Sequence, residues 1–115
     1  MADLVLDIHS GGKTLDFVPF ACAHRLDDPA HEAACMAAAR AFGAPYTLTL
    51  REIDSVGMYD SAVEAQGKVF VTTELGGGGT ATGRSARVAR VGGANPPAHA
   101  GILPRPAGPV QRQRR

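Results

Sequence analysis

The chain has 115 residues, which is enough for one small domain and no more. Its hydrophobic content of 44% is ordinary for a globular chain, but tryptophan is absent, so Val, Leu, Ile and Ala must build the core. All 11 acidic residues lie at or before Glu74, whereas residues 75–115 carry Arg and no acid. The formal net charge of +1 is therefore the sum of an acidic first part and a basic second part.

The sequence shows neither a targeting signal nor a cysteine motif that binds metal. The opening residues lack the basic and apolar regions of a secretory signal, and no run approaches the roughly 18 apolar residues that cross a bilayer. Cys22 and Cys35 lack C-x-x-C spacing, which argues against a zinc knuckle and favours reduced, semi-buried thiols. We therefore expect a cytoplasmic protein that does not act at a membrane.

The chain begins with two strand candidates separated by a loop. Residues 4–8 form an apolar run that His9 ends, and residues 10–13 are a glycine-containing loop. Residues 17–23 form a second, shorter strand candidate. Because Pro19 cannot donate to a ladder, this pattern predicts a strand at the edge of the sheet.

A helix follows with signals at both of its ends. Asp28 is a good N-cap, and Pro29 suits the first helical position. Residues 30–42 continue as an alanine-rich helix, and Gly43 is the expected stop.

The second half of the chain alternates strands and helices. Residues 46–50 alternate cleanly and predict a strand, and residues 58–66 predict a short helix. Residues 68–74 form the best strand because they are rich in β-branched side chains. After the glycines, residues 80–91 predict a helix with Thr80 as its cap. The order of elements predicts an α/β fold with a parallel or mixed sheet.

The end of the chain differs in composition. From Gly92 onward Gly, Ala, Pro and Arg predominate and no residue is acidic. Such a segment buries too little apolar surface to offset the entropy of ordering it. We expect residues 1–93 to form the folded part and residues 94–115 to be a disordered tail.

Two chemically competent side chains stand where apolar runs open into glycine loops. His9 precedes Ser10-Gly11-Gly12, and Glu74 precedes the run of four glycines that begins at Gly76. Open α/β sheets keep their chemistry at the carboxyl ends of strands. His9 is therefore a candidate metal ligand and Glu74 a candidate general base, which together suggest metal-assisted hydrolysis.

Each candidate also has a structural interpretation. His9 could be a strand-end histidine bonded to a neighbour, and we assign Asp7 to the opposite strand face, out of reach of a shared metal. Glu74 could cap the next helix or pair with Arg84.

The glycine run offers an alternative function. Residues 78–85 spell G-x-x-x-x-G-R-S, one residue from a phosphate-binding loop, but Arg84 stands where lysine is required. Arg84, Arg87 and Arg90 recur every three residues and form a basic helical stripe. A phosphate- or nucleic-acid-binding module is the resulting alternative, although such a stripe is more typical of a solvated face, and we do not expect a nucleic-acid partner.

The remaining polar candidates are assigned to structure. His24 and His31 flank an Asp pair without a ligand spacing that suits a metal. Tyr46 and Tyr59 could donate to a substrate oxygen, but Tyr46 lies in an alternating strand and is assigned to packing.

Several separated segments, taken in order, resemble the succinylglutamate desuccinylase/aspartoacylase family, and within it the N-acetyl-diaminobutyrate deacetylase branch of ectoine breakdown. The similar segments are LVLDIHSGG at residues 4–12, PFACAH at 19–24, EIDSVGMY at 52–59 and the stretch 68–82. The similarity extends from about residue 2 to about residue 91.

The resemblance implies a fold, an activity and two site residues. The fold would be a partial mixed sheet of the zinc carboxypeptidase type with flanking helices. The activity would be zinc-dependent hydrolysis of the N-acyl amide bond of a small amino acid. By position, His9 matches the third zinc ligand, and Glu74 matches the general base.

One departure limits what the resemblance implies. In that family the first two zinc ligands come from an H-x-x-E segment upstream of the D-[IL]-H strand. No H-x-x-E occurs in this sequence. We therefore expect the C-terminal part of a larger zinc deacylase, incomplete alone. A catalytically inactive remnant is the alternative, and the pattern leaves the preferred acyl group and the oligomeric state open.

Overall fold

The computed structural model describes residues 2–51 and 56–104 and shows a mixed α/β architecture. Its elements are β1 (Leu4–His9), β2 (Phe20–His24), α1 (Pro29–Phe42), β3 (Tyr46–Leu50), α2 (Tyr59–Glu64), β4 (Val69–Glu74) and α3 (Gly83–His99). The predicted fold class is confirmed. No helix within these described ranges is long and apolar enough to cross a membrane.

The four strands form one sheet in the order β1-β4-β2-β3. β1 runs parallel to β4 and β2 runs parallel to β3, whereas β2 and β4 are antiparallel. The prediction that Pro19 marks an edge strand is wrong, because β2 lies between β4 and β3. Pro19 is compatible with this position because β2 begins one residue later, at Phe20.

The two faces of the sheet are covered differently. Ala21, Ala23 and Val71 point to one face, where they share a buried cluster with Phe42 of α1 and Val88 of α3. Alternation directs their strand neighbours to the other face, where α2 packs. There Tyr59 meets Phe70 edge to face, with ring centroids 5.9 Å apart.

Helix α1 has the ends that its sequence predicts. The Asp28 side chain accepts a hydrogen bond of 2.9 Å from the amide of Ala30, and Pro29 occupies the first turn. Gly43 adopts a left-handed conformation, with φ of 78°, and its amide bonds to the carbonyl of Arg40. Both caps satisfy backbone groups that the helix leaves unpaired.

Helix α3 begins later than predicted. The cap is Thr82 rather than Thr80, and Thr82 forms a capping box with Ser85. The amide of Ser85 donates to the Thr82 hydroxyl at 3.0 Å, and the amide of Thr82 donates to the Ser85 hydroxyl at 3.0 Å. These two bonds satisfy both ends of the box, which a cap at Thr80 could not do.

Helix α3 also ends later than predicted, which corrects the tail boundary at residue 94. The helix continues to His99, through a segment whose composition predicted disorder. A Cβ at Gly92 would lie 2.5 Å from the Phe42 ring, so glycine allows α3 to approach α1 closely. The Asn95 side chain then donates to the Phe42 carbonyl at 3.1 Å. Packing against α1 therefore orders residues 94–99, while residues 105–115 of the predicted tail lie outside the described residues.

Candidate active site

His9 and Glu74 are the last residues of two adjacent parallel strands. In the register of β1 and β4, His9 is the direct partner of Glu74. Parallel strands present directly paired residues on the same face, so both side chains leave one rim of the sheet. The predicted convergence of these two residues, which are far apart in the sequence, is confirmed, while their chemical roles stay predictions.

The loops that follow the two residues are joined to each other. The amide of Leu75 donates to the His9 carbonyl at 3.0 Å, and the amide of Gly11 donates to the Gly76 carbonyl at 2.9 Å. A Cβ at Gly77 would overlap the carbonyl oxygen of Leu15. Glycine is therefore required where the loops touch, and their contact holds the rim beneath His9 and Glu74 in one arrangement.

Further backbone bonds occupy the glycine amides that a phosphate-binding loop would need as donors. The amides of Gly78 and Gly79 donate to the carbonyls of Leu15 and Gly12, at 2.9 and 2.7 Å. Ser85 is engaged in the capping box of α3. The cavity of about 450 Å³ beside this loop is lined by Asp16 as well as by Arg84, and a carboxylate there disfavours an anion. The geometry therefore argues against the phosphate-binding alternative.

Asp7 lies on the same face as His9, so its predicted assignment to the opposite face is wrong. Residues two apart on a strand share a face, and the Asp7 Oδ2 atom lies 2.9 Å from the His9 Nδ1 atom. The His9 side chain is 59% exposed and that of Asp7 27%. The contact is an ion-pair distance, and neither ring nitrogen of His9 makes a hydrogen bond to a described residue.

Glu74 occupies an environment that suits proton transfer. Burial raises the pKa of its carboxyl group above the ordinary value of 4.5; His9 lowers it and Asp7 raises it. The Oε2 atom is buried and has no hydrogen-bond partner among the described residues. A buried acceptor without a partner costs free energy, which is typical of a group whose partner is a ligand or a reacting molecule. The structural interpretation as a helix cap is wrong, because Thr82 caps α3.

The other histidines have protein partners. The His24 Nδ1 atom lies 3.0 Å from Glu64 Oε1, and the His31 Nε2 atom lies 2.7 Å from the Lys68 carbonyl oxygen. Their assignment to structure agrees with these contacts. Nothing in the local sequence around His24 identified Glu64, which lies 40 residues away.

Tyr46 differs from its predicted packing role. Phe20 pairs with Glu74 on one side and with Tyr46 on the other, so these residues share one row with His9 across the sheet. Tyr46 is 56% exposed because β3 is the edge strand. The row His9–Glu74–Phe20–Tyr46 therefore lies along one end of the sheet face, with a hydroxyl at its open side.

The described residues supply only part of a metal site. No group of three or more His, Cys, Asp or Glu side chains within residues 2–51 and 56–104 could hold a metal ion. A catalytic zinc site takes three protein ligands, and of the residues at this rim only the His9 imidazole matches one. The rim therefore offers an imidazole beside a carboxylate, which is not a complete metal site.

The strand-end histidine and the strand-end glutamate lie side by side on a mixed sheet of an α/β domain. The model of the succinylglutamate desuccinylase/aspartoacylase catalytic domain matches residues 1–100. The chain belongs to this family.

Individual relatives support the same assignment. The chain is 50% identical over 103 residues to the N-alpha-acetyl-L-2,4-diaminobutyric acid deacetylase of Halomonas elongata, which covers 90% of this chain and 30% of that protein. It is 64% identical, with a TM-score of 0.87, to a product-bound structure of the ectoine utilization protein EutE (DoeB) of Ruegeria pomeroyi. This match covers 91% of this chain and 32% of that one.

A more distant solved structure shows the same fold. It is a succinylglutamate desuccinylase/aspartoacylase from Rhodobacter sphaeroides, 36% identical with a TM-score of 0.86, covering 97% of this chain and 32% of that one. The chain thus spans about a third of the length of the relatives it matches.

Proposed function

We propose that this chain carries the general base and one zinc ligand of a hydrolase that removes the acyl group from an N-acylated small amino acid, of the N-acetyl-diaminobutyrate type. The observation that carries the proposal is the direct pairing of His9 and Glu74 at one rim, with a buried, unpartnered oxygen on Glu74. The relatives named above support the proposed substrate class, since one is a deacetylase of acetylated diaminobutyric acid.

Each residue has a defined task in this proposal. His9 would bind the metal through its imidazole, which is 59% exposed at the rim. Zinc, when bound, would supply a Lewis acid that polarises the amide carbonyl. Glu74 would take a proton from the attacking water and later deliver it to the leaving amine nitrogen. A raised pKa favours both transfers, because it brings the carboxyl group closer to the working pH.

The activity requires polypeptide that supplies further metal ligands. The resemblance places those ligands on an H-x-x-E segment, which this sequence lacks. We propose that the chain is inactive until such a segment completes the site. A cytoplasmic location remains a prediction.

A chimera tests the proposal. Residues 2–100 of this chain replace the matching third of the Halomonas elongata deacetylase, and hydrolysis of N-acetyl-2,4-diaminobutyrate is measured with zinc present. We expect the chimera to be active and Glu74→Gln to lower kcat by about 10²–10⁴-fold, the range for loss of a general base. We expect the same variant to retain zinc, measured by metal analysis.

Glu32→Gln is the matched control, because Glu32 lies at the first turn of α1 and bonds to Arg25 and Leu26 instead of the rim. It should leave kcat within about twofold, since surface substitutions away from a site change little. A chimera that folds and binds zinc but stays inactive would favour the inactive-remnant alternative. Near-normal turnover in Glu74→Gln would refute the role given to Glu74.

A further inference from the structure

β3 is the outer strand of the sheet at the edge opposite β1, and its pairing with β2 is regular. The register from Phe20↔Tyr46 to His24↔Leu50 skips no residue, so β3 contains no bulge. Its five residues, YTLTL, include neither proline nor a charged side chain. Proline, charge and bulges are the usual means of blocking an edge strand. The backbone of β3 is therefore competent to pair with a further strand.

One backbone bond establishes which residues of β3 face the open edge. The carbonyl oxygen of Leu50 accepts from the amide of Arg25 at 2.7 Å, so the backbone groups of Leu50 point towards β2. Successive residues of a strand direct these groups to opposite sides. The amides and carbonyls of Thr47 and Thr49 consequently point away from β2, and no strand in the described part of the chain pairs with them.

We propose that two copies of this chain associate by antiparallel pairing of their β3 strands about a two-fold axis through Leu48. In this register Leu48 faces Leu48 of the second copy, and Thr47 of each copy faces Thr49 of the other. Each threonine pair exchanges two backbone hydrogen bonds and the central leucine pair exchanges none, which is the alternation of an antiparallel ladder. The two four-stranded sheets then form one continuous sheet.

The side chains of β3 suit this register on both faces of the sheet. Tyr46, Leu48 and Leu50 lie on the face that α2 covers, and they are 56%, 38% and 39% exposed. Across the axis, Tyr46 of each copy meets Leu50 of the other, so the apolar side chains form one stripe. The threonines meet on the opposite face, and Thr–Thr pairs are favourable in antiparallel sheets.

Charge distinguishes β3 from β1, the strand at the other edge. A two-fold axis through Leu6 of β1 would set Val5 against Asp7 of the second copy, and an axis through Asp7 would set two carboxylates directly opposite each other. Like charges in that position destabilise a sheet. Because β3 has no charge to repel its own copy, self-association uses β3. β3 carries neither His9 nor Glu74, so this association is independent of the proposed function.

Sedimentation equilibrium of the full 115-residue chain over a range of concentrations tests the association. One pair of five-residue strands falls short of the roughly 1,000 Å² that stable interfaces bury. We therefore expect a reversible dimer with a dissociation constant of about 10 µM to 1 mM. A chain that stays monomeric at about 1 mM would overturn the inference.

A charge swap at the axis identifies the strand that pairs. Leu48→Lys and Leu48→Glu should each weaken self-association about tenfold, because each sets its new charge against the same charge. An equimolar mixture of the two variants should associate again, since the charges are then opposite. Ile8→Lys is the matched control, because Ile8 is 51% exposed but lies on β1, and it should associate like the unaltered chain. Association lost in Ile8→Lys and kept in Leu48→Lys would assign the interface to β1 and refute the inference.

Amide exchange measured by NMR reads the same register without a substitution. At a chain concentration about ten times the dissociation constant, about a fifth of the chain is monomeric, so the amides of Thr47 and Thr49 should exchange about fivefold more slowly than in dilute solution. The amides of Leu48 and Leu50 point towards β2 and should be protected at both concentrations. A dimer that leaves the exchange of Thr47 and Thr49 unchanged would contradict pairing through β3.

Thr49→Pro replaces the charge variants if these do not fold. It removes an amide that points away from β2, and proline is tolerated in an edge strand when its missing amide faces solvent. The variant should keep the circular dichroism of the unaltered chain and lose its self-association. A folded Thr49→Pro variant that still forms the dimer would refute the inference.

Discussion

Two histidine–carboxylate pairs of nearly equal length lie in different parts of the molecule. His9 and Asp7 are separated by 2.9 Å at the rim, with side chains 59% and 27% exposed. His24 and Glu64 are separated by 3.0 Å beneath α2, with side chains 4% and 8% exposed. The distances are nearly equal, but of the two contacts the His24–Glu64 contact has hydrogen-bond geometry, and the two imidazoles differ in exposure.

The imidazole of the buried pair is enclosed between β2 and α2. The Nδ1 atom of His24 faces Glu64, and its Nε2 atom lies 3.9 Å from a carboxylate oxygen of Asp60. Both acids belong to α2, so the imidazole connects this short helix to β2. The rim pair instead leaves the His9 side chain 59% exposed beside Glu74. A short distance to a carboxylate alone therefore does not distinguish a structural histidine from a candidate ligand, whereas the exposure of the side chain does.

The largest expected effect comes from removing the buried imidazole. His24→Ala should lower the free energy of unfolding by about 3 kcal/mol, because it leaves buried carboxylates without their partner. His9→Ala should change it by less than about 0.5 kcal/mol, since that side chain is mostly exposed. Denaturant unfolding of the two variants at neutral pH measures the difference.

A double variant checks the cause. His24→Ala with Glu64→Ala should recover part of the loss, because removal of both partners leaves fewer uncompensated buried charges. Equal losses in the His9 and His24 variants would contradict the comparison between rim and interior.

The sequence predicted the rim better than the interior. His9 and Glu74 were identifiable because each ends an apolar run before glycine, which is a local pattern. The partner of His24 was not identifiable, since Glu64 lies 40 residues away and on another element. The face of Asp7 was predictable from strand alternation and was assigned wrongly.

The extent of α3 shows the limit of composition. Gly92, Pro96 and Pro97 each disfavour a helix interior, and local propensity therefore predicted a tail. The structure shows that buried contacts with Phe42 outweigh this preference. Such a contact between positions about 50 residues apart cannot be read from the local pattern.

Two neighbouring glycines of α3 sharpen the comparison within the interior. Gly92→Ala should destabilise the fold by about 1–3 kcal/mol, because the new Cβ would lie 2.5 Å from the Phe42 ring. Gly93→Ala should stabilise it by about 0.5–1 kcal/mol, since nothing lies within 4 Å and alanine favours a helix. Thermal and denaturant unfolding of both variants measures the two effects. Equal signs for the two substitutions would show that helix propensity, and not the approach to Phe42, controls this segment.

The smallest effect concerns Glu74 and depends on pH. Its pKa is raised, first by burial, so the folded chain binds the proton more tightly than the unfolded chain does. Stability should then fall as pH rises from the ordinary value of 4.5 through the raised pKa, and remain lower above it. Below pH 4.5 the carboxyl group is protonated in both the folded and the unfolded chain, so this loss of stability is absent there.

Glu74→Gln removes this ionisation and should stabilise the chain by a fraction of a kcal/mol at pH 7, with the gain vanishing on acidification towards pH 4. Glu32→Gln should have the opposite sign at pH 7, because Glu32 accepts a 3.0 Å bond from the Leu26 amide and pairs with Arg25. Denaturant unfolding at both pH values measures each difference. A gain for Glu74→Gln that persists unchanged at pH 4 would mean that it arises from packing. A gain confined to neutral pH would mean that the ionised Glu74 carboxylate at the rim lowers the stability of the fold. The buried carboxylate of Glu64, in contrast, has the His24 imidazole as its partner.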